Sequence, residues 1–505
     1  MATAASPDTP YDYLPVIPGP AEIIQLVVGG QGVSGDAGSI LLAVLRDGDA
    51  AAREAALTGL AQASPRRLVA FDELLRDRWR WHAPHLARQV GQRLLDGDAD
   101  DLLVSLAAAH PDGHVRQGAV AALADKSRPA ALRMLLLRST DWARPVREDA
   151  RSVLGRRLPG AANAVIVDVA GFAATLAGRQ QAGWLTYVIN GAVAQAEPDL
   201  IAALVGSPER LVRRLAYRTG VDTDSLSSDS LVTGAVRDPD VLIRVSCART
   251  LLAGTPSQEI IAALLQSRTA QVRAAALETN IARNGADTAH HMLLDRHPTV
   301  RSIAQQTLAA ADIDLAALYR RHLVHDVTPA AVAGLGETGS AADAAVLTDA
   351  LTAARPRVRV QAVRALRRLG AVDPERLKSL IRDESPVVVR EVVQTLTGYL
   401  HIWAGPELEV LIGTGYPSHV RRAAYRLIRA KDVWSWLVTA LRLISSDDEH
   451  LAPSARSDIY TWLQHEAART YSRPSPDTAA QLAFLLPVLN AKEAAEMAFA
   501  AGLDI

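Results

Sequence analysis

Between about residues 100 and 430 the apolar positions recur at helical spacing and never in the alternation of a strand. Residues 374–396 show the unit. Leu377, Leu380 and Ile381 form one stripe, Arg382-Asp383-Glu384-Ser385-Pro386 is a turn, and Val389, Val392, Val393 and Leu396 form a second stripe. This predicts helix, tight turn, helix. A proline stands just before the second stripe in most copies: Pro111, Pro145, Pro208, Pro239, Pro298, Pro356, Pro386 and Pro417. Proline there presets φ for the first helical turn and forfeits no needed hydrogen bond.

The second helix carries a recurring phrase of Val-Arg, a small residue three places on and a Leu four places later. It reads Val115-Arg116 with Ala119 and Leu123, and Val146-Arg147 with Ala150 and Leu154. It returns at Val272-Arg273, Val300-Arg301, Val358-Arg359, Val389-Arg390 and Val420-Arg421, and more loosely at Val212-Arg213 and Ile243-Arg244. Arg116 to Arg147, Arg213 to Arg244, Arg359 to Arg390 and Arg390 to Arg421 are each 31 residues apart. Two wider gaps are each expected to hold a degenerate copy, around Arg179 and around Thr328 to Gly336. A fixed period of about 30 residues marks stacked repeats, none of which buries its apolar face alone.

The Asp/Pro turn, the Val-Arg, the small residue and the Leu, as in Asp238-Pro239 through Leu251, resemble the HEAT-repeat family, close to its bacterial phycobilin-lyase-type repeats. The resemblance is clear over residues 100 to 430 and weak over 37 to 100. It implies an all-α, right-handed α-solenoid of about ten helix pairs. The expected division is a proline- and glycine-rich tail and loop at 1–36, the repeats at 37–430 and a helical C-terminal cap at 431–505. The cap is expected from helical segments near 433–444, 454–470, 477–489 and 491–500, with aromatics Trp434, Trp436, Tyr460, Trp462 and Tyr471 closing the last apolar face.

The Val-Arg arginine has turn acids nearby in sequence: Asp112, Asp141, Asp238, Asp240, Asp295 and Asp383. A guanidinium pairs bidentately with a carboxylate, so a structural ladder across stacked units is expected. The position five residues later is more informative, and Arg218, Arg249, Arg364 and Arg426 occupy it. In HEAT-like proteins second helices line the concave surface, so the resemblance implies that these arginines could point inward. Arg367, Arg368 and Arg429 thicken the later part, and Arg355 to Arg368 holds six arginines with no acid between them. A solvated face competes with a patch for an acidic protein surface or a phosphate backbone.

Catalytic readings find little. Deoxyhypusine hydroxylases, which resemble this fold, place His-Glu pairs directly after the repeat arginine; Gln117, Glu148, Arg214, Val245, Ala274, Ser302, Val360, Glu391 and Arg422 stand there instead. HEAT-like alkylpurine DNA glycosylases use Trp and Asp a helical turn apart, and no Trp here has such an Asp. Gly30-Gln31-Gly32-Val33-Ser34-Gly35 matches a dinucleotide string but lacks the strand, helix and acid it needs. His82 with His85 and His322 with His325 have no third ligand at useful spacing. No cofactor or metal is expected.

Composition narrows the rest. Formal net charge is -1, so no global bias marks a nucleic-acid binder. One cysteine, Cys247, at the small-residue position of its repeat, reads as an apolar filler. Residues 1–20 show no signal peptide, and no run reaches the roughly 18 apolar residues that span a membrane. The expectation is a cytoplasmic, non-catalytic scaffold or adaptor that binds another macromolecule, a protein first, with a nucleic acid held by the later arginines as the alternative. Oligomeric state stays open.

Overall fold

The computed structural model describes residues 14–29, 35–404, 406–446 and 448–503. Among them every regular element is helical. Consecutive helices pair and stack as the repeat predicts. Two compact units divide the chain, Met1–Val272 and Arg273–Ile505.

In the first unit the pairs run Asp101–Ala107 with Gly113–Leu123, Pro129–Arg138 with Arg144–Arg157, Asn163–Leu176 with Gly183–Ala194, Pro198–Val205 with Arg210–Asp222, and Ser228–Arg237 with Val241–Ala253. The small residues of the phrase, Ala119, Ala150, Ala216 and Cys247, are fully buried where the helices meet. Cys247 is the apolar filler expected of it; burial pushes its thiol up to about 12.

The N-terminal residues depart from the tail-and-loop expectation over Pro20–Val28, which is a helix. Ile23 and Val27 are buried, and a Cβ at Gly59 of Ala50–Gln62 would lie 2.8 Å from Val27. Arg67 closes this helix by donating to the carbonyls of Leu26 and Val27. The proline-rich composition hid the helix because Pro20 occupies its first turn, where proline is tolerated. Residues 1–13 and 30–34, the latter most of the glycine string, lie outside the described residues.

In the second unit Pro298–Ala309, Pro329–Thr338, Pro356–Arg368, Pro386–Leu396 and Ser418–Lys431 are the second helices of successive repeats. Pro356–Arg368 buries Val358, Val360, Val363 and Leu366, each contributing about 1.5–3 kcal/mol relative to exposure. Gly334 and Gly336, in the stretch expected to hold a degenerate copy, are buried inside Pro329–Thr338. A Cβ on Gly334 would sit 2.2 Å from the Tyr319 ring, and one on Gly336 2.4 Å from Ala365 Cβ. These glycines permit close helix approach; they do not loosen the chain.

The terminal helices are Val433–Ser445, Ala452–His465, Pro476–Leu485 and Ala491–Ala501. Trp434, Trp436 and Trp462 are buried, with Trp434 edge-on to Trp462 at 5.8 Å. Tyr460 and Tyr471 stay exposed.

Candidate binding surface

The arginine of the phrase is not a binding group in most repeats. Arg116, fully buried, donates Nη1–H to the carbonyl of His110 and its Nε and Nη2 to the carboxylate of Asp141. Asp141 also accepts from the backbone N–H of Ala143, and its own carbonyl accepts from Arg147. One aspartate thus receives an arginine from the repeat before and one from its own. The same joint recurs at Asp238, held by Arg213 and Arg244, and at Asp295, held by Arg273 and Arg301. Arg359 pairs with Asp383 at 2.8 Å.

Several rungs use acceptors the turn acids did not announce. Arg244 takes the hydroxyl of Thr269, Arg301 takes Glu337, and Arg421 takes Asp448. Burial alone would push the Asp141 carboxyl up, but Arg138, Arg116 and the Ala143 N–H hold it below its ordinary value. Glu337 is held low in the same way, burial being outweighed by Arg301 and Gln305. In the first unit the ladder meets a second buried charge, Asp72, which Arg138 bridges to Asp141.

The candidate binding arginines separate into two groups. Arg364 and Arg367 both bind Glu391, which is buried, and Arg367 adds the hydroxyl of Thr395. Arg368 lies 3.4 Å from Glu337. Arg429 pairs with Glu466 and stacks over Trp436 at 4.4 Å. The acid-free run from Arg355 to Arg368 is therefore largely neutralised by carboxylates from neighbouring repeats. Arg218, Arg249 and Arg426 are exposed, and no acidic partner is seen for them among the described residues.

Arg218 stands at a feature that no local pattern announced. A cleft of about 550 Å³ opens between Asn163–Leu176, Gly183–Ala194, Arg210–Asp222 and Val241–Ala253. Its lining is apolar: Ala170, Ala173, Ile189, Leu211, Leu215 and Leu242 among others. Leu211 and Leu242 are 44% and 56% exposed, unusual for leucines beside a cavity. Arg214 at its edge is committed to Asp240. The volume falls within the range of roughly 300–1,000 Å³ typical of ligand sites, and the opening is lined for apolar contact.

The histidine pairs do not assemble. Arg78 donates to His82, and His85 faces Gln89. Among the described residues no group of three or more His, Cys, Asp or Glu is placed to hold a metal ion. No described helix is long and apolar enough to cross a membrane.

No protein-family model matches the sequence, and no curated protein does. Among solved structures the chain is similar to "Crystal Structure of Importin Beta in a Polyethylene Glycol Condition", at 12% identity over 95% of this chain and 69% of that one, with a TM-score of 0.29. A second importin beta structure, from an ammonium sulfate condition, aligns at 13% identity over 95% of this chain and 64% of that one, with a TM-score of 0.22. An engineered protein aligns at 16% identity over 86% of this chain and 97% of that one, with a TM-score of 0.23. Scores this low carry no weight for function, and the repeat architecture rests on the helix pairing and the arginine ladder of the chain itself.

Proposed function

We propose that this chain is a non-catalytic scaffold of HEAT-like repeats that holds a protein partner on the faces of its second helices. The observation that carries the reading is the apolar cleft beside Arg218. Leu211 and Leu242 are partly exposed at its mouth, and Arg218 and Arg249 stand on the helices that form one wall. An amphipathic helix with an acidic flank fits such a surface: apolar side chains enter between the helices and carboxylates meet the arginines. The nucleic-acid alternative loses support because Glu391, Glu337 and Asp383 neutralise most of the later arginines.

Capture from the native host with the wild-type chain and with Leu211→Asp/Leu242→Asp, side by side, tests the reading. Both leucines are partly exposed, so the variant is expected to fold. A protein retained by the wild type and lost by the variant is the expected result. Identical captures, or a capture consisting of nucleic acid that falls away steeply with salt, would overturn it.

A further inference from the structure

We infer that the second unit contains a site for a small oxyanion of the phosphate class, between Pro386–Leu396 and Ser418–Lys431, recognised by Arg390, Arg422 and Arg426. The three arginines line one cavity of about 150 Å³ together with Pro386, Val389, Val393, His419 and Ala423. No carboxylate is in that lining. All three are exposed, and no acidic partner is seen for any of them among the described residues.

The reason Arg390 stands there is visible in the ladder. At Asp141, Asp238 and Asp295 the main-chain carbonyl accepts the arginine of the same repeat. Six residues after Asp383, where those repeats place the arginine, stands the buried Val389, so Arg390 falls one position past the ladder, and the Asp383 carbonyl accepts Nε2–H of His419 instead, at 2.9 Å. The acid that Arg390 would pair with is also missing. Arg359 and Arg421 find theirs 24 and 27 residues on. The matching stretch after Arg390 is Thr414, Gly415, Tyr416 and Pro417. Arg390 thus stands outside the ladder and shares a cavity wall with two further arginines.

Three arginines lining one small cavity bring like charges to the same place, which disfavours the compact state unless an anion joins them. Planar guanidinium forks match the oxygens of phosphate and donate several charge-assisted hydrogen bonds at once. The cavity is smaller than the roughly 300 Å³ at which sites for larger organic ligands begin, so it suits the phosphate group itself and not a bulky molecule around it. The site lies in a different unit from the apolar cleft and does not depend on how that cleft is read.

Calorimetric titration of the full chain with inorganic phosphate, at low ionic strength in an amine buffer, tests the proposal. The expected result is saturable binding near one phosphate per chain. It should weaken at least tenfold in Arg390→Gln/Arg422→Gln and stay unchanged in Arg156→Gln, an exposed arginine of the first unit outside the cavity. Without phosphate the double variant is expected to melt no lower than the wild type, because like charges have been removed. If the double variant fails to fold, Arg422→Lys, which keeps the charge and loses the fork, decides by weakening binding severalfold. A phosphoserine peptide run in parallel separates the sources: tighter binding than free phosphate assigns the site to a protein-borne phosphate, and equal or weaker binding assigns it to the free ion. Absence of saturable phosphate binding to the wild type, or equal binding by wild type and variants, overturns the proposal.

Discussion

Replacing Asp141 with alanine removes the most heavily used carboxylate of the first unit. It accepts from Arg116 at 3.1 and 3.0 Å, from Arg138 at 2.8 Å and from the Ala143 N–H at 2.9 Å. After the change Arg116 keeps the carbonyls of His110 and Pro111 and its place over the Trp142 ring, but its charge has no counterion. Arg138 keeps Asp72. Removing one member of a buried pair costs about 3–5 kcal/mol, because the partner charge stays desolvated. Loss of the turn contact to Ala143 adds to this. A large part of a typical domain's stability of about 5–15 kcal/mol is at stake. Urea denaturation followed by circular dichroism reads the effect, with Glu148→Ala as control. Glu148 pairs with Arg144 in the open, where ion pairs contribute little, and no measurable change is expected. The double variant Arg116→Met/Asp141→Leu should recover most of the loss, since apolar replacements of similar volume remove both charges together. If Asp141→Ala unfolds at the wild-type midpoint, or the double variant is worse than the single, the ladder does not brace the repeats and the reasoning fails.

Acid should undo the same joints. Asp141 and Glu337 are held below their ordinary values against the pull of burial, and Asp448 is held low first by its hydrogen bond from Arg421. A carboxyl lowered on folding stabilises above its unfolded value, near 3.8 for Asp and 4.5 for Glu, and that contribution is lost as pH falls through the folded value. The melting temperature should therefore hold from pH 7 to about pH 5 and drop below about pH 4; a rise on acidification to pH 3 would contradict this. Gly334→Ala should cost about 1–3 kcal/mol by overpacking against Tyr319, read as a lower urea midpoint, while Gly155→Ala, which meets open space, should be neutral or stabilising. Cys247 is fully buried with its thiol pushed up to about 12, so a thiol reagent should modify it only at the rate of unfolding. Fast labelling of the native chain would show that the helix pairs around it open.

Much of this architecture is written in local pattern. The helix pairs follow from apolar spacing, and the acids at Asp141, Asp238, Asp295 and Asp383 sit in turns where a reader of the sequence looks for them. Glu337 was harder, because it lies inside a helix 36 residues after the Arg301 it serves. The arginine-rich stretch from Arg355 to Arg368 misled for the same reason. Its counterions, Asp383 in a turn and Glu391 and Glu337 on other helices, lie outside the stretch, so local charge density overstated the field. The cleft beside Arg218 left no signal in sequence. It depends on how Asn163–Leu176 and Gly183–Ala194 pack in a stretch punctuated by glycine, and a gap between helices is a property of their arrangement, not of any residue's type.

The ladder also accounts for the period. Asp141 pairs with an arginine 25 residues before it and lends its carbonyl to one 6 residues after it, and Arg116 and Arg147 are 31 apart. The spacing of 31 between Arg213 and Arg244 comes from the same pair of steps through Asp238. The first step can shorten: Asp295 lies 22 residues after Arg273 and 6 before Arg301, and those two arginines are 28 apart. The span from Arg301 to Arg359 breaks the period, and there the acceptor is Glu337 instead of a turn aspartate. Where an apolar residue takes the ladder position, as Val389 does, the arginine beside it, Arg390, stays outside the ladder and is available for other work. Within this fold the candidates for binding are therefore found by asking which arginines the stacking does not consume. Three of those, Arg390, Arg422 and Arg426, line one cavity, and a fourth, Arg218, lines the apolar cleft.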